Sequence, residues 1–315
     1  MVKVLLEHLL LTIKLLDVGD RFIILFLCCI TLVSCRLDEN MFDNVELFKY
    51  ELDDYGAFEI QIADHYDIHD SLVNMVSLSS KLPTEALPTQ LSAVYVGDAN
   101  AIETDTVILY CHGNYGHLDY YWTRIKLLAN IGHKNKYGVF AMDYRGYGMS
   151  GGEPTEEGIE QDVRTAMEWL EKRGLTTDRL IMYGYSLGSA PATELTANDG
   201  ALQPSKLILE APFANTETMI QDVTGLVIPG KYVTNITMNV AQKVTQVQEP
   251  LLWLHGDNDQ FLNIQTHGEV VFASHPGEID VEKFAVRVNK GEHSNLPKVM
   301  GTEYYLQVLE NFIAN

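Results

Sequence analysis

Hydrophobic and polar positions follow two different rhythms along this chain, and the change between them divides it. Gly56 to Ala63 and Leu91 to Val96 alternate residue by residue, as half-buried strands do. From Thr106 to Cys111 the pattern becomes a continuous apolar run, the kind buried on both faces of a parallel sheet. Similar runs recur at Tyr137 to Met142, Arg179 to Tyr183, Lys206 to Leu209, Pro250 to Leu254 and Val281 to Val288. Between them lie helical patterns over Leu118 to Asn130, Thr155 to Lys172, Leu187 to Ala197, Phe261 to Ala273 and Gly301 to Ile313. Strand and helix in strict alternation predict right-handed crossovers and an α/β fold: a mostly parallel, doubly wound sheet with helices on both faces. In such a sheet reactive groups gather at the carboxyl ends of strands.

The amino terminus has a different pattern. Phe22 to Val33 is an uncharged apolar run of twelve residues. A membrane span needs about 20 residues, whereas an export signal's apolar region needs about 7–15. It leads into Leu32-Val33-Ser34-Cys35, which resembles the lipobox of bacterial lipoprotein signal peptides. That resemblance implies cleavage before Cys35, lipid on its thiol and new amino group, and attachment to a membrane of the bacterial cell envelope, facing periplasm or exterior. An uncleaved anchor and a simple export signal are the alternatives. Residues 1–20 fit the start of such a signal poorly, being long and apolar with only Lys3 and Lys14 as bases; translation from near Val18 would remove the misfit. Residues 36–55 are rich in acids and are expected to form a solvated tether, although Phe42, Phe48 and Tyr50 argue that part of it docks. A single domain over 56–315 follows.

Composition narrows the partners. A chain of 315 residues, 46% hydrophobic, can bury one large core. Its net charge of −21, from 43 acids and 22 bases, repels phosphate backbones and argues against nucleic acid. Of the four cysteines, Cys28, Cys29 and Cys35 lie near the amino terminus and Cys111 in an apolar strand, so no disulfide framework or metal-binding pair is readable. The ten histidines lack zinc spacing. No metal or cofactor is expected, and Cys111 is expected to be buried and inert.

The chemistry concentrates at Gly184-Tyr185-Ser186-Leu187-Gly188, a G-x-S-x-G set between a strand-like and a helix-like run. A serine at that corner is held on a strained turn with its hydroxyl presented. It becomes a nucleophile only when a base takes its proton and a carboxylate orients that base. Asp259 follows the strand ending at Leu254, and His293 follows the last strand, in the chain order Ser, Asp, His. Asp257 lies in the same turn as Asp259 and competes with it. His112 and His255, each before a glycine at a strand end, are expected to brace turns. His117, His133, His267 and His275 are expected at the surface. Trp122 and Trp169 read as core packing. Leu187, at the start of the following helix, is positioned to supply one oxyanion-hole N–H.

These residues, with His112-Gly113-Asn114, Asp143-Tyr144-Arg145-Gly146-Tyr147-Gly148, Ser150, Gly151, the H-G-x-x-D at 255–259 and the G-x-H at 291–293, resemble the α/β-hydrolase superfamily. More narrowly, residues 90 to 315 are similar to the small-lidded serine hydrolases of the Bem46, ABHD13 and ABHD17 type. The resemblance implies an ester or thioester hydrolase with Ser186 as nucleophile, Asp259 as orienting acid and His293 as base. It also implies a second oxyanion donor at Asn114, with Tyr115 as the alternative. Asp143 to Gly146 reads as a structural loop pinned by Arg145.

Lids in this fold follow the sixth strand, where residues 214–249 leave room only for a small cap. Ile220, Val223, Leu226, Val227 and Ile228 would flank an acyl pocket or simply pack on the sheet. The expected substrate is a small acyl ester or thioester. A serine aminopeptidase or amidase of the same fold is a second reading, though no carboxylates placed for a substrate amine are identifiable. A non-catalytic surface protein on a hydrolase scaffold is a third; a fluorophosphonate probe would leave it unlabelled.

Overall fold

The computed structural model describes residues 38, 41–56, 58–133, 136–198, 200, 202–225, 234–277 and 281–315. Cys28, Cys29, Cys35, the apolar run 22–33, and Leu226, Val227 and Ile228 lie outside these residues. Among them, eight strands form one sheet: β1 (Val73–Ser80), β2 (Thr89–Val96), β3 (Val107–Cys111), β4 (Gly138–Met142), β5 (Leu180–Tyr185), β6 (Lys206–Glu210), β7 (Leu251–Gly256) and β8 (Lys283–Val288). Their order is β1-β2-β4-β3-β5-β6-β7-β8. β2 pairs antiparallel with both β1 and β4, and every other pair is parallel.

The helices are α1 (Leu118–Leu128), α2 (Glu156–Glu171), α3 (Ser189–Ala197), α4 (Thr216–Thr224), α5 (Val240–Lys243), α6 (Gly268–Ser274), α7 (Leu296–Met300) and α8 (Thr302–Ala314). Thr155 caps α2 by accepting from the Gly158 N–H, and Asn215 caps α4 by accepting from Thr218. Alternate residues of β3 supply the two cores. Val107, Leu109 and Cys111 join the face covered by α2 and α3; Ile108 and Tyr110 join the face covered by α1 and α8. That two-sided burial is why the strand reads as an unbroken apolar run. The chain winds from β3 outward to β4, then returns to lay β5 on the other side of β3. The reversal opens a crevice at the carboxyl ends of β3 and β5.

Two expectations are corrected, and one strand is new. The described residues of 56–63 form no strand. Their period of two is a burial pattern, with Phe58, Ile60 and Ile62 seated on the core beneath α1 and the Ile60 carbonyl accepting from Thr123 Oγ1. The helix expected from Phe261 begins only at Gly268, because the Asp259 carboxylate organises the intervening loop. β1, an edge strand with Met75, Ser77 and Ser79 exposed in alternation, was not anticipated.

The described part of residues 36–55 docks along the sheet's carboxyl end as a strap. Asn44 bridges to Gly116 and Glu46 to Gly148. Asp119 accepts from the Glu51 and Leu52 N–H groups, and the Tyr50 hydroxyl donates to Asp143 at 2.6 Å. Phe42 is buried, as its docking role required; Phe48 is fully exposed and plays no such part. Among the described residues no helix is long and apolar enough to cross a membrane.

Candidate active site

Ser186 occupies the corner between β5 and α3 with φ at +50°, left-handed backbone that a side chain adopts only when the surroundings enforce it. Gly188 makes the corner possible: a Cβ there would lie 2.1 Å from the Cys111 carbonyl oxygen on neighbouring β3. Gly184 serves the same end, since its Cβ would lie 2.7 Å from the Gly188 oxygen and from the Ser189 Cα. The sequence motif is therefore a close-packing requirement, and it leaves the serine Oγ at the crevice.

His293 and Asp259 arrive from the loops after β8 and β7. Ser186 Oγ lies 2.9 Å from His293 Nε2, and His293 Nδ1 lies 2.8 Å from Asp259 Oδ2. An ionised carboxylate only accepts, so Nδ1 carries the proton and Nε2 is left to accept from the serine hydroxyl. Asp259 is buried, and burial alone would raise its pKa. Hydrogen bonds from His255 and His293, the electrostatic attraction of the His293 ring, and the Leu262 N–H outweigh that and hold it below the usual carboxylate range. Both its oxygens are engaged: Oδ1 accepts from the Phe261 and Leu262 N–H groups, while Oδ2 faces His293 and, at 3.2 Å, His255 Nε2. Such a chain can move a proton from the serine to the imidazole and stabilise the imidazolium that results.

The competing residues sort cleanly. Asp257 is exposed, and its Oδ1 accepts from the Lys290 N–H. His112 braces its own turn, with Nδ1 2.7 Å from the Gly113 oxygen and Nε2 3.5 Å from Asp143. His255 Nε2 also lies 2.9 Å from the Leu262 oxygen, so it supports Asp259 from behind. Arg145 pins its loop through Asp162 and Glu85. Trp122 is core, as is Cys111, whose thiol burial pushes well up and away from reactivity. His117, His267 and His275 are buried, not superficial; His267 Nδ1 accepts from the Ala214 N–H, and His275 Nε2 lies 3.1 Å from the Glu249 oxygen.

Two hollows meet at Ser186. One, about 30 Å³, is apolar and lined by Phe42 of the strap, Leu187, Phe213, Met219, Ile236 and Met238, among others. The 214–249 insert thus contributes Met219, Ile236 and Met238. Ile220 is buried in packing, and Val223 is exposed. The other hollow, about 290 Å³, is open and has His293 in its wall. Asn114 borders both hollows, and Leu187 the first. The Asn114 carboxamide is clamped by the strap: its Nδ2 donates to the Met41 oxygen, and its Oδ1 accepts from the Asp43 N–H and the Tyr147 hydroxyl. The strap's part in the site was missed by sequence reasoning. Phe42 and Tyr50, aromatics in an acidic stretch, were its visible signs.

A second unforeseen feature lies beneath. Arg124 is buried in α1 and pairs with Glu59 and Glu210, which are also buried, while Tyr183 and Tyr305 hydroxyls engage Glu210. Burial opposes the charge on Arg124, but the two carboxylates hold it firmly protonated. A charged residue on an apolar helical face, and a glutamate ending an apolar strand, were the available signals.

Residues 106–223 match the family described as alpha/beta hydrolase fold. The chain has the α/β-hydrolase fold. It is 30% identical over 167 residues to Bem46 of Schizosaccharomyces pombe, covering 51% of this chain and 53% of that protein. It is 27% identical over 219 residues to YfhR of Escherichia coli K12, covering 68% and 71% respectively. Among solved structures, an esterase of Pyrococcus furiosus superposes with a TM-score of 0.64 at 15% identity, over 87% of this chain and 97% of its own, a likeness of fold.

Proposed function

We propose that the protein is a serine hydrolase of carboxylic esters or thioesters, working through an acyl-enzyme on Ser186. His293 takes the serine proton as Oγ attacks the carbonyl carbon, and returns it to the leaving oxygen or sulfur as the acyl bond breaks. Water, deprotonated by the same imidazole, then releases the acid. Asp259 keeps His293 in the required tautomer and stabilises the imidazolium. The N–H groups of Leu187 and Asn114 are assigned to the tetrahedral oxyanion; losing one such donor typically costs about 2.7–4 kcal/mol of transition-state stabilisation. The observation that carries this reading is the unbroken relay Ser186 Oγ to His293 Nε2, 2.9 Å, and His293 Nδ1 to Asp259 Oδ2, 2.8 Å.

The hollows divide the substrate. A leaving group must depart towards the protonated imidazole, so the hollow with His293 in its wall takes the alcohol or thiol, and the apolar one takes a short acyl chain. The apparent lipobox supports export and anchoring through Cys35 in a bacterial cell envelope, which would hold this shallow site beside a membrane.

The test is hydrolysis of p-nitrophenyl butyrate together with fluorophosphonate labelling. The wild type is expected to do both. Ser186→Ala should lose all labelling and at least about 10³-fold in rate. Undiminished turnover by that variant would refute the assignment.

A further inference from the structure

We infer that the open hollow beside His293 is a leaving-group subsite for alcohols carrying an alkylammonium cation. The inference builds on the esterase reading and specifies its substrate. The hollow's wall is a run of rings in edge-to-face contact. Tyr115 meets Tyr120 at 5.1 Å between centroids, Tyr120 meets Tyr121 at 5.2 Å, and Tyr121 meets Tyr185 at 6.1 Å. The run ends on the reacting imidazole, with Tyr185 5.6 Å and Phe261 5.1 Å from the His293 ring. At the mouth, Tyr115 is 53% exposed and Phe261 46%, so aromatic surface is left open beside the serine. Packing gives no reason for that exposure.

Charge then selects among ligands that stack on rings. Asp43, on the strap, stands at the rim, and among the described residues no lysine or arginine lines the hollow. The Arg124 guanidinium lies 4.6 Å from the centroid of the Tyr185 ring but is buried and matched by Glu59 and Glu210, so it presents no unpaired positive charge. The molecule as a whole carries −21. Tyrosine faces attract a quaternary or alkylated ammonium through their quadrupole, and Asp43 adds a carboxylate. A phosphate- or carboxylate-bearing leaving group finds repulsion and no partner. A neutral polyol could stack on the rings, but it would draw nothing from the charge.

Three esters sharing a butyryl group separate these cases: butyrylcholine, its uncharged isostere 3,3-dimethylbutyl butyrate, and the butyryl ester of a hydroxycarboxylate of similar size. At low salt the choline ester is expected to exceed the neutral one in kcat/KM by about tenfold. The carboxylate ester should fall about tenfold or more below the neutral one. The choline-to-neutral ratio should shrink with added salt, in Asp43→Asn and in Tyr115→Ala. A neutral ester equal to or better than butyrylcholine overturns the inference. A separate arm avoids turnover: tetramethylammonium is titrated against the full-length Ser186→Ala protein by intrinsic fluorescence. Saturable binding weakened by Tyr115→Ala supports the subsite even if no ester is cleaved, in which case the esterase reading fails alone. Absence of saturable binding overturns the subsite even if esters are cleaved.

Discussion

Ser186 and Asp259 leave β5 and β7, strands buried along their whole length, whereas residues 41–55 cross the same end of the sheet as a strap with no regular pairing. The first pair inherits its geometry from the central ladder, which opens only with the domain as a whole. The strap is held by scattered contacts: the Asn114 carboxamide, the Asp119 and Asp143 carboxylates, and two isolated backbone bridges at Asn44 and Glu46. Yet both regions meet at one hollow, where Phe42 faces Leu187 and Ser186. A scaffold of this kind can keep its reacting atoms rigid while the wall that shapes the substrate depends on a few replaceable contacts. Changes in the relay should therefore abolish chemistry in a stable fold, and changes in the strap should redirect specificity.

The largest expected effect lies in the relay. Asp259→Asn keeps the shape, but the Phe261 and Leu262 N–H groups hold its carboxamide oxygen, so its NH2 faces His293 Nδ1 and donates where the carboxylate accepted, and His293 loses its imposed tautomer. A fall of about 10⁴ in kcat is expected for this exchange. The same variant carries a pH signature. The folded protein depresses the Asp259 pKa, so its stabilising contribution is fully present above the unfolded value of about 3.9 and disappears as pH falls below it. Melting curves should show wild type and Asp259→Asn separated by a constant interval from about pH 5 to 8, closing only in stronger acid. A gap that closes between pH 6 and 8 would mean that another group stabilises the site.

Legibility in the sequence follows the same division. β3 to β8 and the positions of Ser186, Asp259 and His293 could be read because each rests on a pattern with a physical cause: two-sided burial, a glycine-dependent corner, a loop at a strand end. The strap's aromatics hinted at docking, but its place could not be read, because its contacts are one-off hydrogen bonds whose partners lie 67 to 102 residues away in sequence. Its acids signalled solvation, although the segment's N–H groups bind acids of the domain. Residues 56–63 misled for a related reason. Alternation reports which side is buried, and a helix surface can do the burying as well as a neighbouring strand. The buried histidines show the converse, since a lone histidine carries no periodicity to reveal whether a cavity awaits it.

A smaller effect, and a change in kind, is expected at the strap's apolar contact. Phe42 helps close a hollow of about 30 Å³ beside the serine, too little for a long acyl chain. Phe42→Ala should extend it. Activity on p-nitrophenyl acetate should change by no more than a few-fold, while the ratio of octanoate to acetate hydrolysis rises about tenfold or more, since each accommodated methylene is worth about 1 kcal/mol or more. An equal loss on both esters would show that Phe42 supports the site's geometry and does not bound the acyl chain.

The smallest effect tests whether the strap is separable at all. Tyr50 lies eight residues beyond Phe42, and its hydroxyl donates to Asp143 while accepting from the Met149 N–H. Tyr50→Phe removes both bonds without touching the hollow, leaving Asp143 its bond from the Leu118 N–H. A loss of about 1–2 kcal/mol in unfolding free energy is expected, because the lost donor served a buried carboxyl acceptor. Rates on short esters should stay within about twofold. If instead this distant change reproduces the chain-length shift of Phe42→Ala, the strap moves as one body and its anchors set specificity together. If stability falls and the ester profile holds, each contact acts for itself, and the wall at Phe42 is fixed locally by the Asn114 clamp that grips the residues on either side of it.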